Sequence, residues 1–184
     1  MERNLALEIE RLSGQKIGLC YHCHKCTAGC PVASAMSIGP ERVLRLAILD
    51  EWETVLHSPD IWLCTGCFTC STRCPNEIDI ARVMDALRQL AVWGEYPPGE
   101  PDAYLFHKLF LGVVRRLGRS HEATMLGLFK VLSRVPLIDD MGAGIGLFER
   151  GKVPLLPTRS GAGKAMREIF ERAGQLLRPI GNDT

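Results

Sequence analysis

Eight cysteines stand in two groups of four: Cys20-Tyr-His-Cys23-His-Lys-Cys26-Thr-Ala-Gly-Cys30-Pro31 and Cys64-Thr-Gly-Cys67-Phe-Thr-Cys70-Ser-Thr-Arg-Cys74-Pro75. Both read C-x2-C-x2-C-x3-C-P, an internal repeat. Three thiolates spaced by two residues can each reach a different iron of one cubane, while the backbone N–H groups between them face the sulfurs. The fourth ligand must come from elsewhere. Where such a unit occurs twice, the fourth cysteine of each ligates the cluster of the other. On this pattern one [4Fe–4S] cluster takes Cys20, Cys23, Cys26 and Cys74, and a second takes Cys64, Cys67, Cys70 and Cys30. An exchange of arms of this kind makes cluster binding part of folding. Proline after each fourth cysteine turns the chain away without a donor that needs a partner.

Other uses of the thiols fit less well. Zinc prefers two C-x2-C pairs, and a third cysteine two residues further on, in both loops, has no role in such a site. Disulfides would require eight closely spaced thiols to pair locally, and nothing in Met1–Leu5 resembles an export signal, so the expected location is cytoplasmic. Two cubanes need eight ligands and the chain has eight cysteines. No thiolate is left over to attack a disulfide, and no nucleophile lies beside an evident base. Taken alone, the chain is expected to carry electrons, with no catalytic residue.

The clusters alter the charge. The formal charge is +1; eight thiolates remove about 8 charges and two oxidised cores return about 4, leaving about −3. Nearby cations then matter. His22, His24 and Lys25 lie in the first loop and Arg73 in the second, each placed to raise a cluster's potential, to contact a partner, or simply to point to water. His24 is expected to point to water.

Two glycine-rich stretches do not make nucleotide sites. Ser160-Gly-Ala-Gly163-Lys164 ends like a phosphate loop, but Thr158 occupies the first glycine position and Ala165 replaces the magnesium-binding hydroxyl. Gly142-Ala-Gly144-Ile-Gly146 has Leu147 where a dinucleotide fingerprint needs glycine, and no strand precedes it. Both read as turns and helix ends.

The elements that position the loops are helical by period. Asn4 is placed to cap a short helix in which Leu5, Ile9 and Leu12 share a face, with Gly14 past its end. From Pro40, the residues Val43, Leu44, Ala47, Ile48, Trp52, Val55 and Leu56 form one apolar stripe, read as one helix between the loops. Ser58-Pro59-Asp60 restarts a short helix into the second loop. After Cys74-Pro75, Ile80, Val83, Met84, Leu87, Leu90 and Ala91 keep helical spacing, and Gly94 ends the run. No run alternates with period two over a strand's length. The fold class is therefore all-α, with residues 1–95 as a dicluster domain. Tyr96-Pro-Pro-Gly-Glu-Pro101 is the boundary, and residues 96–184 form a C-terminal extension. Helices are expected there over Asp102–Leu117, Ser120–Arg134 and Lys164–Leu177. The Pro- and Gly-rich stretch from Pro136 to Gly163 is expected to be irregular and to lie along a partner.

The 184 residues, 46% hydrophobic and 23% charged, suffice for a real core. The near balance of charge gives no reason to expect nucleic acid. His107, Lys108, Arg115 and Arg116 interrupt the longest apolar stretch, Tyr104–Leu117, so no segment has the ~20 apolar residues of a spanning helix. A basic helix lying on a membrane surface is the weaker reading of that stretch, and an ordinary helix packing on a partner the stronger.

With Trp62-Leu-Cys64-Thr-Gly-Cys67-Phe-Thr-Cys70, the helical spacer between the loops, and Gly151-Lys-Val-Pro154, the chain resembles the C-type iron–sulfur component of heterodisulfide reductase and its bacterial relatives. The resemblance covers residues 15–95 well and the rest loosely. It implies an α-helical ferredoxin fold holding two [4Fe–4S] clusters. It also implies two partners: a flavin- and cluster-bearing A-type component, and a B-type component whose CCG motifs act on a disulfide, with this chain relaying electrons between them. The chain itself has no CCG motif. The alternative is a stand-alone soluble dicluster carrier with no fixed complex.

Overall fold

A computed structural model describes residues 4–133, 142, 146, 150–151 and 160–176. Most of the expected irregular stretch Pro136–Gly163, and of Gly151–Pro154 within it, lies outside the described residues. Those described are helical, with no strand among them: α1 Leu5–Ser13, a 3-10 turn Ile17–Leu19, α2 Lys25–Ala28, α3 Gly39–Ile48 and α4 Trp52–Leu56. They continue with α5 Asp60–Leu63, α6 Thr69–Arg73, α7 Ile80–Trp93, α8 Pro101–Leu117, α9 Glu122–Leu132 and α10 Gly163–Leu176. The all-α class read from the period holds.

The chain forms two compact units, Met1–Pro101 and Asp102–Thr184. In the first, α7 packs against α1, α4, α5 and α6, and α3 against α1, α2, α4 and α5. The contact face of α7 is the one its spacing marks out: Ile80, Val83, Met84 and Leu87 are all buried. Each such side chain contributes about 1.5–3 kcal/mol on leaving water. Leu5, Ile9, Val43, Leu44, Val55 and Ile61 complete the same core. Asn4 caps α1 through its side chain, 3.1 Å from the Leu7 N–H, and Gly14 closes that helix in the left-handed conformation.

The stripe from Val43 to Leu56 is not one helix. It breaks at Asp50, which has φ +64°, and resumes as α4. The Asp50 carboxylate accepts the Leu5 N–H at 2.6 Å and the Trp52 Nε1–H at 3.0 Å. Ending α3 there lets one side chain satisfy an open donor at the start of α1. Both fragments still face the same core, so the apolar period survives the break.

The breaker segment folds back on the first unit. A side chain at Gly99 would collide with the His57 carbonyl, and Tyr96 stands edge-on to the His57 ring at 5.2 Å.

In the second unit, α8 ends at Gly118, which has φ +76° and donates to the Val114 carbonyl at 2.8 Å. His121 caps α9 by accepting the Thr124 N–H, and Phe106 of α8 meets Phe129 of α9 edge-on at 5.8 Å. Among the described residues no helix is long and apolar enough to cross a membrane.

Candidate metal centre in two cysteine-lined hollows

The two loops are built alike, residue for residue. Cys20 follows the 3-10 turn and Cys64 follows α5, both in extended conformation. The residues on either side of the second cysteine are left-handed in each loop: His22 and His24 at φ +58° and +62°, Gly66 and Phe68 at +63° and +60°. Only one of these four is glycine, and a left-handed residue with a side chain costs about 1–3 kcal/mol unless its surroundings hold it. The reversal around Cys23 and Cys67 presents three thiols of a loop to one side. A left-handed residue followed by a right-handed one, as in His24-Lys25, is also the backbone pattern of anion-binding nests. Short helices α2 and α6 then carry the third cysteine of each loop and pack against each other. They were not legible in the sequence because four or five residues are too few to show a period.

That packing brings the arms across. One hollow of about 290 Å³ is lined by Cys20, Cys23, Cys26 and Cys74. Another of about 350 Å³ is lined by Cys64, Cys67, Cys70 and Cys30. Ile80, the first residue of α7, stands in both walls, so the positive end of that helix lies between two places expected to hold anions. All eight cysteines are free thiols. Among the described residues, no three His, Cys, Asp or Glu side chains close to the spacing of a single metal ion. The sulfurs surround hollows instead of meeting at a point, as a polynuclear cluster requires and a zinc ion does not.

The buried thiols are not tuned for nucleophilic work. Burial pushes Cys20, Cys26, Cys64 and Cys70 up, Cys26 to about 11. The exposed Cys67 is held below the ordinary thiol range, by hydrogen bonding to Thr69, whose Oγ1 lies 3.4 Å from its Sγ. A reactive cysteine needs an electropositive, partly open setting, whereas a ligand thiol gives up its proton to the metal that replaces it.

The charged neighbours divide by loop. In the first, Glu41 is 4% exposed and lines the hollow. Its Oε1 lies 2.9 Å from His22 Nδ1 and its Oε2 lies 3.2 Å from His24 Nδ1. His24 is mostly exposed, as expected, yet touches this carboxylate. Lys25 is exposed, and the Arg73 side chain lies over Gly29, the position equivalent to it in the other loop. In the second, Arg88 of α7 donates to the carbonyls of Cys64 and Ile61 and pairs with Asp85 at 2.9 Å. Asp60, fully buried, accepts the N–H groups of Ser37, Ile38 and Gly39 at 2.7, 2.9 and 2.6 Å. It thereby ties the chain leaving the first loop to the helix entering the second. Sequence reasoning missed Glu41, Asp60 and Arg88. Glu41 beside Pro40 has the look of an ordinary first-turn acid, and the partners of the other two lie more than twenty residues away in sequence.

Fold and hollows together define an all-helical dicluster iron–sulfur protein. Residues 16–78 match the family model for a 4Fe-4S dicluster domain, which implies two [4Fe–4S] clusters, and the soft thiolate donors and the two four-cysteine hollows fit them. The chain is similar to the C2 component of an H2/formate:CoB-CoM heterodisulfide,ferredoxin reductase of Methanococcus maripaludis. The two are 28% identical over 137 residues, covering 73% of this chain and 63% of that one. It is 39% identical over 77 residues to a C-type iron–sulfur component of the CoB–CoM heterodisulfide reductase of Methanocaldococcus jannaschii, 42% of this chain and 41% of that one. With the C-type component of a ferredoxin:CoB-CoM heterodisulfide reductase of Methanosarcina acetivorans it shares 30% identity over 172 residues, 88% of this chain and 61% of that one. The chain is thus similar, over part of their length, to the C-type iron–sulfur components of heterodisulfide reductases. It spans between 41% and 63% of the length of these three relatives.

Proposed function

We propose that the chain is the electron-relay subunit of a heterodisulfide-reductase-like complex. The observation that carries this reading is the sharing of cysteines between loops: each hollow has three from one loop and the fourth from the other. In this assignment Cys20, Cys23, Cys26 and Cys74 hold one [4Fe–4S] cluster, and Cys64, Cys67, Cys70 and Cys30 hold the other. When bound, the clusters supply one-electron chemistry without proton or group transfer. The protein's own residues keep them close together, dry on the side of the apolar core, and approachable through the exposed Cys23 and Cys67.

The proposed partners are a flavin- and cluster-bearing A-type component on one side and a CCG-bearing B-type component on the other, in the cytoplasm. Residues 1–95 serve as the relay and residues 96–184 as the docking extension. Supporting a docking role, the second unit leaves Phe110, Leu111, Leu126, Val131 and Leu132 exposed, more large apolar surface than a free carrier needs.

The test is native purification of the untagged chain from its host. The proposal predicts a large species containing flavin- and CCG-bearing chains, with iron and labile sulfide in the proportions of two cubanes. Elution as a monomer with two clusters would instead establish a stand-alone carrier, and a single cluster or zinc would overturn the reading altogether.

A further inference from the structure

The two hollows are alike in cysteines and unlike in charge. The wall of the first contains the buried carboxylate of Glu41. The same wall contains His24, mostly exposed with its Nδ1 against the Glu41 carboxylate, and Lys25, whose exposed ammonium is screened by water where the carboxylate is not. His22 is less exposed but engages Glu41 directly. The wall of the second contains no ionisable side chain apart from its cysteines. Behind it stands the Arg88 guanidinium, largely buried and fastened to the carbonyl of its first cysteine, while the paired Asp85 is well exposed. Arg73 lies over Gly29, is exposed, and enters neither wall.

A reduced cluster carries one more negative charge than an oxidised one. A buried anion therefore opposes reduction beside it, and a buried cation favours it. We infer that Glu41 and Arg88 order the two potentials, the first-loop cluster below the second-loop cluster, so that an electron shared by the pair rests on the second. The step is one electron leaving the reduced first cluster and arriving on the oxidised second, with no bond made or broken and no proton moved. This gives the relay a direction: the donor meets the Cys23 face and the acceptor the Cys67 face. The inference rests on the two-cluster reading above.

Potentiometric titration of the full-length loaded chain, followed by electron paramagnetic resonance, tests it with Glu41→Gln and Arg88→Gln. Glu41→Gln keeps the shape of the side chain beside His22 and His24 and removes its charge. It is expected to raise the lower of the two potentials, and Arg88→Gln to lower the upper, so that both variants narrow the gap. Each shift should change the division of the electron about tenfold, which is 59 mV for a one-electron couple. Arg88→Lys keeps the charge but not the forked donor, and should retain the wild-type gap if charge is the cause. A gap that widens in either variant, or potentials that stay in place in both, overturns the ordering. Iron and sulfide content of the unmutated chain keeps the two questions apart. Fewer than two clusters there defeats the relay reading itself, whereas two clusters with unmoved potentials defeat only the assignment of Glu41 and Arg88.

Discussion

Asp50 shows how much one side chain can decide. It holds a left-handed backbone, ends α3, and accepts hydrogen bonds from Leu5 at the start of α1 and from the Trp52 ring. Asp50→Ala loses both acceptors and keeps the strain. It should destabilise the loaded protein by about 2 kcal/mol, read as a lower midpoint of denaturant unfolding with an unchanged slope. Nothing around Asp50 in the sequence announces this, because its neighbours keep the apolar period through the break. The cysteines are the opposite case. Ligation needs a particular atom at a particular spacing, so the grouping of the eight cysteines that line the two hollows can be read before any fold is known. Glu41 and Arg88 were hidden because a charge acts through space, and sequence distance says nothing about which hollow it faces.

Among the elements, α5 and the segment before α3 depend on each other through Asp60. Three backbone donors converge on a fully buried carboxylate. Asp60→Ala strands all three, and a loss of about 3 kcal/mol or more is expected, with Asp60→Asn intermediate. The cost should appear in cluster retention as well as in unfolding, since this contact joins the exit of one loop to the entry of the other. Helix α7 offers a contrast along packing lines. Leu87→Ala removes a fully buried side chain and should cost about 2–5 kcal/mol, whereas Leu7→Ala, on the solvent face of α1 at 65% exposure, should stay within about 0.5 kcal/mol. The longer helices were legible because nine or more residues repeat a period and their ends carry Asn4, Gly14, Pro40 and Gly94 as markers. Helices α2 and α6 gave no such signal, since they are set by the loop reversals and by each other.

For the whole molecule, the proposed ligation makes metal binding complete the folding of the two loops of the first unit. As proposed, crossed ligation would fasten two loops that pack against each other through two short helices. Iron removal by a chelator is therefore expected to loosen the loops before the α1–α3–α7 core. Limited trypsin digestion checks this: Lys25 and Arg73 should resist cleavage in the loaded protein and be cut first in the stripped one. The all-α class and the paired clusters could be read from spacing alone. The fold of the extension could be read only in part, because Pro and Gly mark where helices stop without saying what the intervening chain packs against.

The most direct test of crossed ligation compares Cys74→Ser with Cys30→Ser, each loaded and examined by electron paramagnetic resonance in the reduced state. Cys74→Ser should perturb or remove the cluster of Cys20, Cys23 and Cys26 and spare the other, and Cys30→Ser should do the reverse. If each variant instead damages the cluster of its own loop, the two loops bind independently and the account of a cross-tied relay is wrong.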